Sequence, residues 1–217
     1  EHLKPLRDSG HPEKFMFHYG RMKASSSKLI KSLFLANYGT KTIGNHTSIC
    51  EGGKWTAQEL TWGKHYDNWD LDNTRYILNF GSNVLEAHTN HTAVAQRLSK
   101  ALVDNRVKMV TFDVRLSNTA AKSHQWVPVK SGTDGAVALA MCNVIMNEGL
   151  YKVEGEDFLT FCKVTPGSMA TLAQKVAALK AHLATYTPEW AEGVSGVAAE
   201  TIRTVAREFA TARPGCV

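Results

Sequence analysis

The sequence predicts an α/β fold in which a mainly parallel β-sheet carries helices on both faces. Three apolar runs of strand length, residues 75–80, 107–112 and 126–129, alternate with longer stretches whose apolar residues recur at helical spacing. Hydrophobic residues make up 43% of the chain, which is enough for a substantial core. Strands and helices that alternate in this way form βαβ units, so we predict a Rossmann-like, nucleotide-binding architecture.

The stretch that precedes the first of these strands predicts less regular structure. Residues 14–19 form a short apolar, aromatic run that is typical of a buried strand, and residues 25–38 carry apolar side chains at helical spacing. We predict a loop at residues 39–47, a short helix at residues 55–62 and an irregular segment at residues 64–73.

Helices are predicted after the strands and through the C-terminal part of the chain. They cover residues 92–103, 132–148, 169–184 and 198–212, with a further helix beginning at Thr187-Pro188 and a short helix or strand at 157–162. Thr133 or Asp134 is expected to cap the amino end of the second of these helices. We divide the chain into residues 1–70, 71–165 and 166–217, of which the middle segment is the predicted nucleotide-binding domain.

The composition argues against several classes of protein. The net charge of +5 is mild and the basic residues are scattered, which does not indicate a nucleic-acid-binding surface. No apolar stretch is long enough to span a bilayer, so we expect no direct membrane insertion. The four cysteines form no CxxC pair, so we expect neither a zinc site nor an iron–sulfur cluster made by this chain alone.

Polar and glycine residues follow the first strand at the point where a parallel sheet binds its ligands. Gly81, Ser82 and Asn83 form a turn, and Glu86 lies just after it. A glycine lets the backbone approach a phosphate closely, and serine and asparagine can donate hydrogen bonds to its oxygens. The alternative interpretation is an ordinary turn that binds nothing.

The two following strands end in residues of matching chemistry. Asp113 can accept hydrogen bonds from ribose hydroxyls, and Arg115 can hold a phosphate through its planar guanidinium. Gly132, Thr133 and Asp134 open the helix after the third strand, where a carboxylate can accept two donors from a guanine edge. Each signal taken alone is also typical of a turn or a helix cap. Together they predict a nucleotide at this edge of the sheet, and a guanine nucleotide is chemically plausible.

No strand is followed by the GxGxxG motif of a dinucleotide-binding Rossmann enzyme, which argues against an ordinary NAD-dependent protein. Instead, the chain resembles the molybdopterin oxidoreductases of the dimethyl sulfoxide reductase type. The stretches that carry the resemblance are residues 47–51, 75–83, 112–120, 129–140, 186–192 and 196–202. They run across nearly the whole chain, and we expect the chain to be an internal piece of a larger multidomain catalytic subunit.

The resemblance implies a molybdenum or tungsten ion held by the dithiolenes of two pterin guanine dinucleotides. It assigns the nucleotide part of one cofactor to Gly81, Ser82, Asn83, Glu86, Asp113, Arg115, Gly132 and Asp134. It also places Cys50 where the family has its protein ligand to the metal, and a soft thiolate suits a metal already bound by sulfur. The alternative for Cys50 is an ordinary small buried residue. On this interpretation residues 1–70 belong to the metal-site domain, and residues 166–217 form a truncated helical continuation.

Residues that flank Cys50 in the sequence are candidates for binding or catalytic roles at the metal site. His46 and Lys54 can donate hydrogen bonds to an oxo ligand or position an anionic substrate, and His65 can do the same. Packing and surface roles are the alternatives for all three. The aromatic residues Trp55, Trp62, Tyr66 and Trp69 either line a substrate funnel or pack in the core.

The resemblance also implies a function, with alternatives. We expect a two-electron redox enzyme that acts on a small anionic substrate, either a sulfur or arsenic oxyanion or a polysulfide. Its partners would be an iron–sulfur electron-transfer subunit and a membrane anchor subunit, with a further iron–sulfur cluster N-terminal to this chain. Alternatives are a relative of formate dehydrogenase or nitrate reductase, and a metal-free scaffold subunit of a respiratory complex. The resemblance favours a periplasmic or membrane-associated location, and a cytoplasmic one is the alternative.

Overall fold

The computed structural model divides into two compact units. It describes residues 1–22, 24–65, 67–88, 90–152, 155–162 and 171–217. The first unit is Glu1–Asn68 and the second is Trp69–Val217.

The first unit is mostly helical. Its helices are α1 (Leu3–Asp8), α2 (Ala24–Ser27), α3 (Ala36–Tyr38), α4 (Thr47–Cys50) and α5 (Gly52–Trp62), with a π-helix at Lys28–Leu35 and a 3-10 turn at Pro12–Lys14. Its strands are β1 (Phe17–Tyr19) and β2 (Ile43–Asn45), which pair in parallel.

The prediction of a buried strand at residues 14–19 is wrong in length and in burial. Only β1 is extended there, and its side chains are half-buried or exposed because β2 is its single partner. β2 itself lies within the segment predicted to be a loop, residues 39–47. Gly44 makes the pairing possible, since a Cβ atom at this position would lie 2.6 Å from Nδ1 of His18.

The predicted helix at residues 25–38 is confirmed. α2 continues through the π-helix into α3, and the helix ends at Gly39, whose φ of 96° is left-handed. The ring of Phe15, just before β1, makes edge-to-face contacts with Phe34 and Tyr38, with ring centroids 6.4 and 5.3 Å apart. These contacts hold the helix against the chain that enters the small sheet.

The second unit contains a four-stranded sheet in which every pair of neighbours is parallel. Its strands are β3 (Tyr76–Phe80), β4 (Lys108–Asp113), β5 (Gln125–Pro128) and β6 (Gly215–Cys216), in the order β5-β4-β3-β6. Its helices are α6 (His91–Val103), α7 (Asn118–Lys122), α8 (Asp134–Asn147), α9 (Gly155–Phe161), α10 (Leu172–Leu183), α11 (Pro188–Ser195) and α12 (Ala199–Thr211), with a 3-10 turn at Leu150–Lys152. The predicted α/β fold with a parallel sheet is therefore confirmed.

Alternate residues of the strands enter separate cores on the two faces of the sheet. Tyr76 and Leu78 pack with buried residues of α8, α11 and α12 on one face. Ile77 and Met109 pack against α6 on the other. This arrangement explains why the strands of the sequence are apolar along their whole length, because a parallel sheet buries both of its faces.

Two details of the second unit differ from the prediction or go beyond it. α7 was not predicted, because it is only five residues long and lacks an apolar stripe. The Ser117 hydroxyl begins this helix by accepting a hydrogen bond from the backbone N–H of Ala120. The first residues of the helix predicted at 169–184, Met169 and Ala170, lie outside the described residues, and its described part is α10.

Candidate cofactor-binding edge and cysteine loop

Three loops leave the sheet of the second unit at the same edge. They are the β3 loop (residues 81–88), the β4 loop (residues 114–117) and the β5 loop (residues 129–133). Because β5, β4 and β3 are parallel neighbours, their carboxyl ends lie side by side. The residues predicted to line a nucleotide site in this unit are thus on adjacent loops rather than on opposite edges.

Two glycines at this edge leave open space above the backbone. Gly81 has a φ of 64° and Gly132 a φ of 77°, both left-handed. Apart from the glycine and its chain neighbours, no atom of the described residues lies within 4 Å of the position that a Cβ would take at either residue. The backbone N–H of Gly81 donates to the carbonyl of Phe112 at 2.8 Å, which fixes the start of the β3 loop on β4. These features fit a phosphate that approaches the main chain closely.

Glu86 is the centre of a polar network that joins the β3 and β4 loops. Its carboxylate accepts hydrogen bonds from the side-chain amides of Asn83 and Asn118, and from the Arg115 guanidinium at 3.2 Å. The hydrogen bond from Asn83 is the main cause that holds the pKa of Glu86 below its ordinary value, and Arg115 lowers it further. The carboxylate is therefore ionised and occupied by protein donors.

Thr119 supplies a second connection between these loops. Its hydroxyl donates to Oδ1 of Asn83 at 2.8 Å and accepts from the backbone N–H of Leu85 at 3.0 Å. Both ends of the Asn83 side-chain amide are thus bonded to protein, through Thr119 and Glu86. Asn83 also holds the shape of its loop through its backbone carbonyl, which accepts from the N–H groups of Glu86 and Ala87. Nothing in the sequence pattern singled out Thr119 or Asn118, because both are polar residues of the unpredicted helix α7.

Replacing Thr119 with valine is expected to destabilise the second unit by about 1–3 kcal/mol. The side chain is fully buried, so valine would leave the Leu85 N–H and the Asn83 amide oxygen without their partner. Urea unfolding followed by circular dichroism measures the change. Thr211→Val is the matched control, because that hydroxyl is on the exposed side of α12 and the loss there should stay within about 0.5 kcal/mol. Equal losses in the two variants would contradict the role given to Thr119.

Asp113 is the last residue of β4, and its side chain is buried at the sheet edge. One carboxylate oxygen accepts from the Ser117 hydroxyl at 2.8 Å, and the Asp113 carbonyl accepts from the indole N–H of Trp126 at 3.1 Å. Asp113 therefore holds the β4 loop in place. A carboxylate has about four acceptor positions, so it retains capacity for a ligand hydroxyl.

The remaining residues predicted to bind the nucleotide are Ser82 in the β3 loop and Asp134 at the start of α8. The Ser82 carbonyl accepts from the side-chain amide of Asn79 at 2.9 Å, and Asn79 is a buried strand residue that the sequence did not mark as functional. Thr133 is the N-cap residue of α8, as predicted, but its side chain makes no capping hydrogen bond. The Thr133 hydroxyl instead donates to the Lys130 carbonyl and closes a turn. Asp134 is the first residue of α8, near its positive end.

In the first unit, Cys50 ends the short helix α4 and is exposed. The alternative that it is an ordinary buried residue is therefore wrong. Its backbone N–H donates to the carbonyl of His46 at 3.1 Å, so the two residues are one helical turn apart. The side chain of Asn45 accepts from the backbone N–H of Thr47 and fixes the start of this turn. Among the described residues, no group of three or more histidine, cysteine, aspartate or glutamate side chains could hold a metal ion.

Residues 45–50, which we call the cysteine loop, adjoin a small polar cavity of about 160 Å³. It is lined by Tyr19, Gly20, Arg21, Met22, Lys31, Asn45, His46 and Thr47. Two of these side chains are cationic, and none of the described lining residues is acidic. His46 contributes a buried Nδ1 atom that makes no hydrogen bond to the described residues.

Lys31 and Tyr19 form a coupled pair in the wall of this cavity. The Lys31 ammonium donates to the Tyr19 hydroxyl and lies 4.0 Å from the centre of its ring. This hydrogen bond is the main cause that lowers the pKa of the Tyr19 phenol below its ordinary value. Sequence reasoning missed Tyr19, Arg21 and Lys31, because they come from β1, the segment after it and the π-helix, and no spacing connects them to Cys50.

Lys54 and His65 are placed away from this cavity lining. Lys54 forms an ion pair with Glu51 at 2.6 Å, and His65 lies 3.3 Å from the carboxylate of Glu59. Of the histidine and lysine candidates in the sequence around Cys50, only His46 lines the cavity.

The aromatic residues considered for a substrate funnel are dispersed. Trp55 contacts the ring of His65, Trp62 is exposed, and Tyr66 lies outside the described residues. Trp69 belongs to the second unit, where it packs against the core that contains residues of α6.

None of the described helices is both long and apolar enough to cross a membrane.

Comparison with known proteins connects these features to a family. Residues 4–184 match the family model of the molybdopterin oxidoreductases. The arsenate respiratory reductase molybdopterin-containing subunit of Chrysiogenes arsenatis is 30% identical over 99% of this chain, and the thiosulfate reductase molybdopterin-containing subunit of Salmonella typhimurium is 33% identical over 83% of it. The chain spans 26% and 22% of the length of these two relatives.

A solved structure shares the fold. Acetylene hydratase from Pelobacter acetylenicus superposes with a TM-score of 0.71 over 98% of this chain and 27% of its own, at 24% sequence identity. The family match extends from the first unit into the second as far as residue 184, and it includes Cys50 and all three loops of the sheet edge. Family membership implies a molybdenum or tungsten pterin cofactor, and the chain is a member of the molybdopterin oxidoreductase family.

Proposed function

We propose that this chain is part of the catalytic subunit of a molybdenum or tungsten oxidoreductase that carries out two-electron chemistry on a small oxyanion. The observation that carries the proposal is the cationic cavity one helical turn from an exposed cysteine. Relatives named for arsenate and thiosulfate reduction support a sulfur or arsenic oxyanion as the substrate class. When bound, the metal supplies the exchange of two electrons with the substrate.

The edge of the sheet is suited to the nucleotide end of one pterin guanine dinucleotide. The open backbone at Gly81 and Gly132 would lie against the diphosphate, with Arg115 as its cation. Ser82 and Asn83 would donate through their backbone, and Asp113 would accept from a ribose hydroxyl. Asp134 would accept from guanine, close to the positive end of α8.

Cys50 would be the protein ligand to the metal. Its sulfur is exposed, and a thiolate is the soft donor that a sulfur-bound metal prefers. Metal binding would keep the thiol deprotonated. His46, one turn earlier, would donate a hydrogen bond towards the same space from its unbonded nitrogen.

The cavity lined by His46 and Thr47, at the start of the helix that ends at Cys50, would hold the oxyanion. Arg21 and Lys31 supply positive charge, and the absence of acidic groups among the described lining residues avoids repulsion. Its volume of about 160 Å³ is sufficient for a tetrahedral oxyanion with a few water molecules, each of which occupies about 30 Å³.

An iron–sulfur subunit and a membrane anchor are proposed as partners of the complete protein. The names of the relatives support a multisubunit enzyme, because they describe molybdopterin-containing subunits.

Metal analysis of the complete, natively purified protein tests whether it holds molybdenum or tungsten, on which the whole proposal depends. Well-folded protein without molybdenum or tungsten would contradict it and favour a scaffold subunit.

Replacing Arg21 with glutamine is expected to raise the KM for arsenate or thiosulfate by about 10- to 100-fold, with a smaller change in kcat. One charge-assisted hydrogen bond to the substrate would be lost, which corresponds to about 1.5–3 kcal/mol. Steady-state kinetics of the complete enzyme measures both constants. Arg7→Gln, an exposed arginine of the same unit paired with Asp8, is the matched control and should leave KM unchanged. An unchanged KM in the Arg21 variant would show that this cavity does not bind the substrate.

A further inference from the structure

Glu86 was expected to contact the nucleotide, but its carboxylate is already surrounded by protein donors. Oε2 accepts from Asn83 and Arg115, and Oε1 accepts from Asn118. These donors come from the β3 loop, the β4 loop and the first residue of α7, so the carboxylate ties the β3 loop to the β4 loop and to α7. A carboxylate has about four acceptor positions, so these three hydrogen bonds leave at most one of them for a ligand.

The hydrogen bond from Arg115 to Glu86 leaves most N–H donors of the guanidinium without a protein partner among the described residues. Only one terminal nitrogen of its guanidinium is bonded to Glu86, and its side chain is 64% exposed. A guanidinium has five N–H donors in a rigid plane, so bonding one edge leaves the others aimed into solvent at the sheet edge. Without Glu86, the long arginine side chain would be free to sample many rotamers.

We propose that Glu86 is a positioning residue, which aims the guanidinium of Arg115 at the phosphates of the bound nucleotide without touching the nucleotide itself. This inference rests on the proposed placement of the nucleotide at the sheet edge. It assigns to a negatively charged group a favourable effect on the binding of an anion.

The sign of the effect distinguishes this role from simple electrostatics. Removing a carboxylate close to a phosphate site removes repulsion, which alone would tighten the binding of an anion. Glutamine at position 86 keeps only one acceptor oxygen and has no charge, so one of the three donors would face an amide N–H₂ and the charge-assisted hydrogen bond that holds Arg115 would be weakened. The positioning role therefore predicts weaker binding after a change that lowers negative charge.

Binding of GDP to the complete protein purified without its cofactor, measured by isothermal titration calorimetry, tests the inference. We expect Glu86→Gln to raise the Kd for GDP about tenfold, equivalent to one weakened charge-assisted hydrogen bond. Guanosine, which lacks phosphates, should bind the variant and the unmodified chain equally. In an Arg115→Gln background, which itself weakens GDP binding, Glu86→Gln should cause no further loss. Circular dichroism of each variant establishes that it is folded.

Glu148→Gln is the matched control for the loss of a carboxylate. Glu148 also pairs with an arginine, Arg207, at 2.9 Å, but it follows α8 at the end that faces away from the three loops. Its removal should leave the Kd for GDP unchanged.

Several outcomes would overturn the inference. Tighter GDP binding by Glu86→Gln would show that the carboxylate only repels the phosphates, and the proposed nucleotide site would stand. Additive losses in the double variant, or an equal loss for guanosine, would make Glu86 a direct contact or a general loop support. An absence of GDP binding to the unmodified chain would overturn the nucleotide placement together with the role of Glu86.

Discussion

Replacing Cys50 with alanine in the complete, metal-loaded enzyme is expected to reduce turnover by at least about a hundredfold. Loss of residues that merely support a metal ligand costs about 10- to 100-fold, and Cys50 is proposed as the ligand itself. Its sulfur is exposed at the end of α4, although cysteine is among the residue types most often buried, so packing does not account for it. Turnover with arsenate or thiosulfate and the bound metal per subunit are the two measurements.

The control for this experiment is another exposed cysteine. Cys142 lies on α8 in the second unit, and Cys142→Ala should retain full turnover. Cys50→Ser should fall between the two variants, because a hydroxyl is a harder donor of similar size. If Cys50→Ala kept both its metal and its turnover, the thiolate would not be the protein ligand, and the cysteine loop would lose its place in the proposed site.

Most strands and helices of the second unit could be predicted from the sequence, because the alternation of apolar strands and amphipathic helices recurs along it. β3, β4 and α6 were predicted within one or two residues, since each has an apolar pattern that both faces of a parallel sheet require. β2 and α7 were missed because three and five residues are too few for a periodic pattern. The pairing of β1 with β2 also depends on Gly44, whose missing side chain matters only once His18 lies opposite.

The candidate site was predicted in its position but not in its contacts. The rule that ligands bind beyond the carboxyl ends of parallel strands places Gly81, Asp113 and Gly132 correctly on one edge. It does not reveal that Glu86 and Asn83 are bonded to residues 30 or more positions away. Such contacts depend on how neighbouring loops meet, which no local pattern encodes.

Phe112 both stabilises the sheet of the second unit and supports the start of the β3 loop at the carboxyl ends of the strands. It is fully buried next to Asp113, its ring stacks on that of Phe80 with centroids 4.9 Å apart, and its carbonyl accepts the backbone N–H of Gly81. Phe112→Ala is expected to destabilise the second unit by about 3–5 kcal/mol, because a large cavity would open between the ends of β3 and β4. Denaturant unfolding gives this difference in free energy, and Phe112→Leu, which fills more of the space, should lose less.

Val103→Ala provides the reference for an apolar truncation without a cavity. Val103 is the last residue of α6 and is 75% exposed, so its truncation should change the free energy of unfolding by no more than about 0.5 kcal/mol. The Phe112 variant should also weaken GDP binding at temperatures where it remains folded, because Gly81 is anchored on the main chain of that residue. A Phe112 variant as stable as the Val103 control would mean that the stacked pair does not support the edge, and the glycine of the β3 loop would then owe its position to the polar network alone.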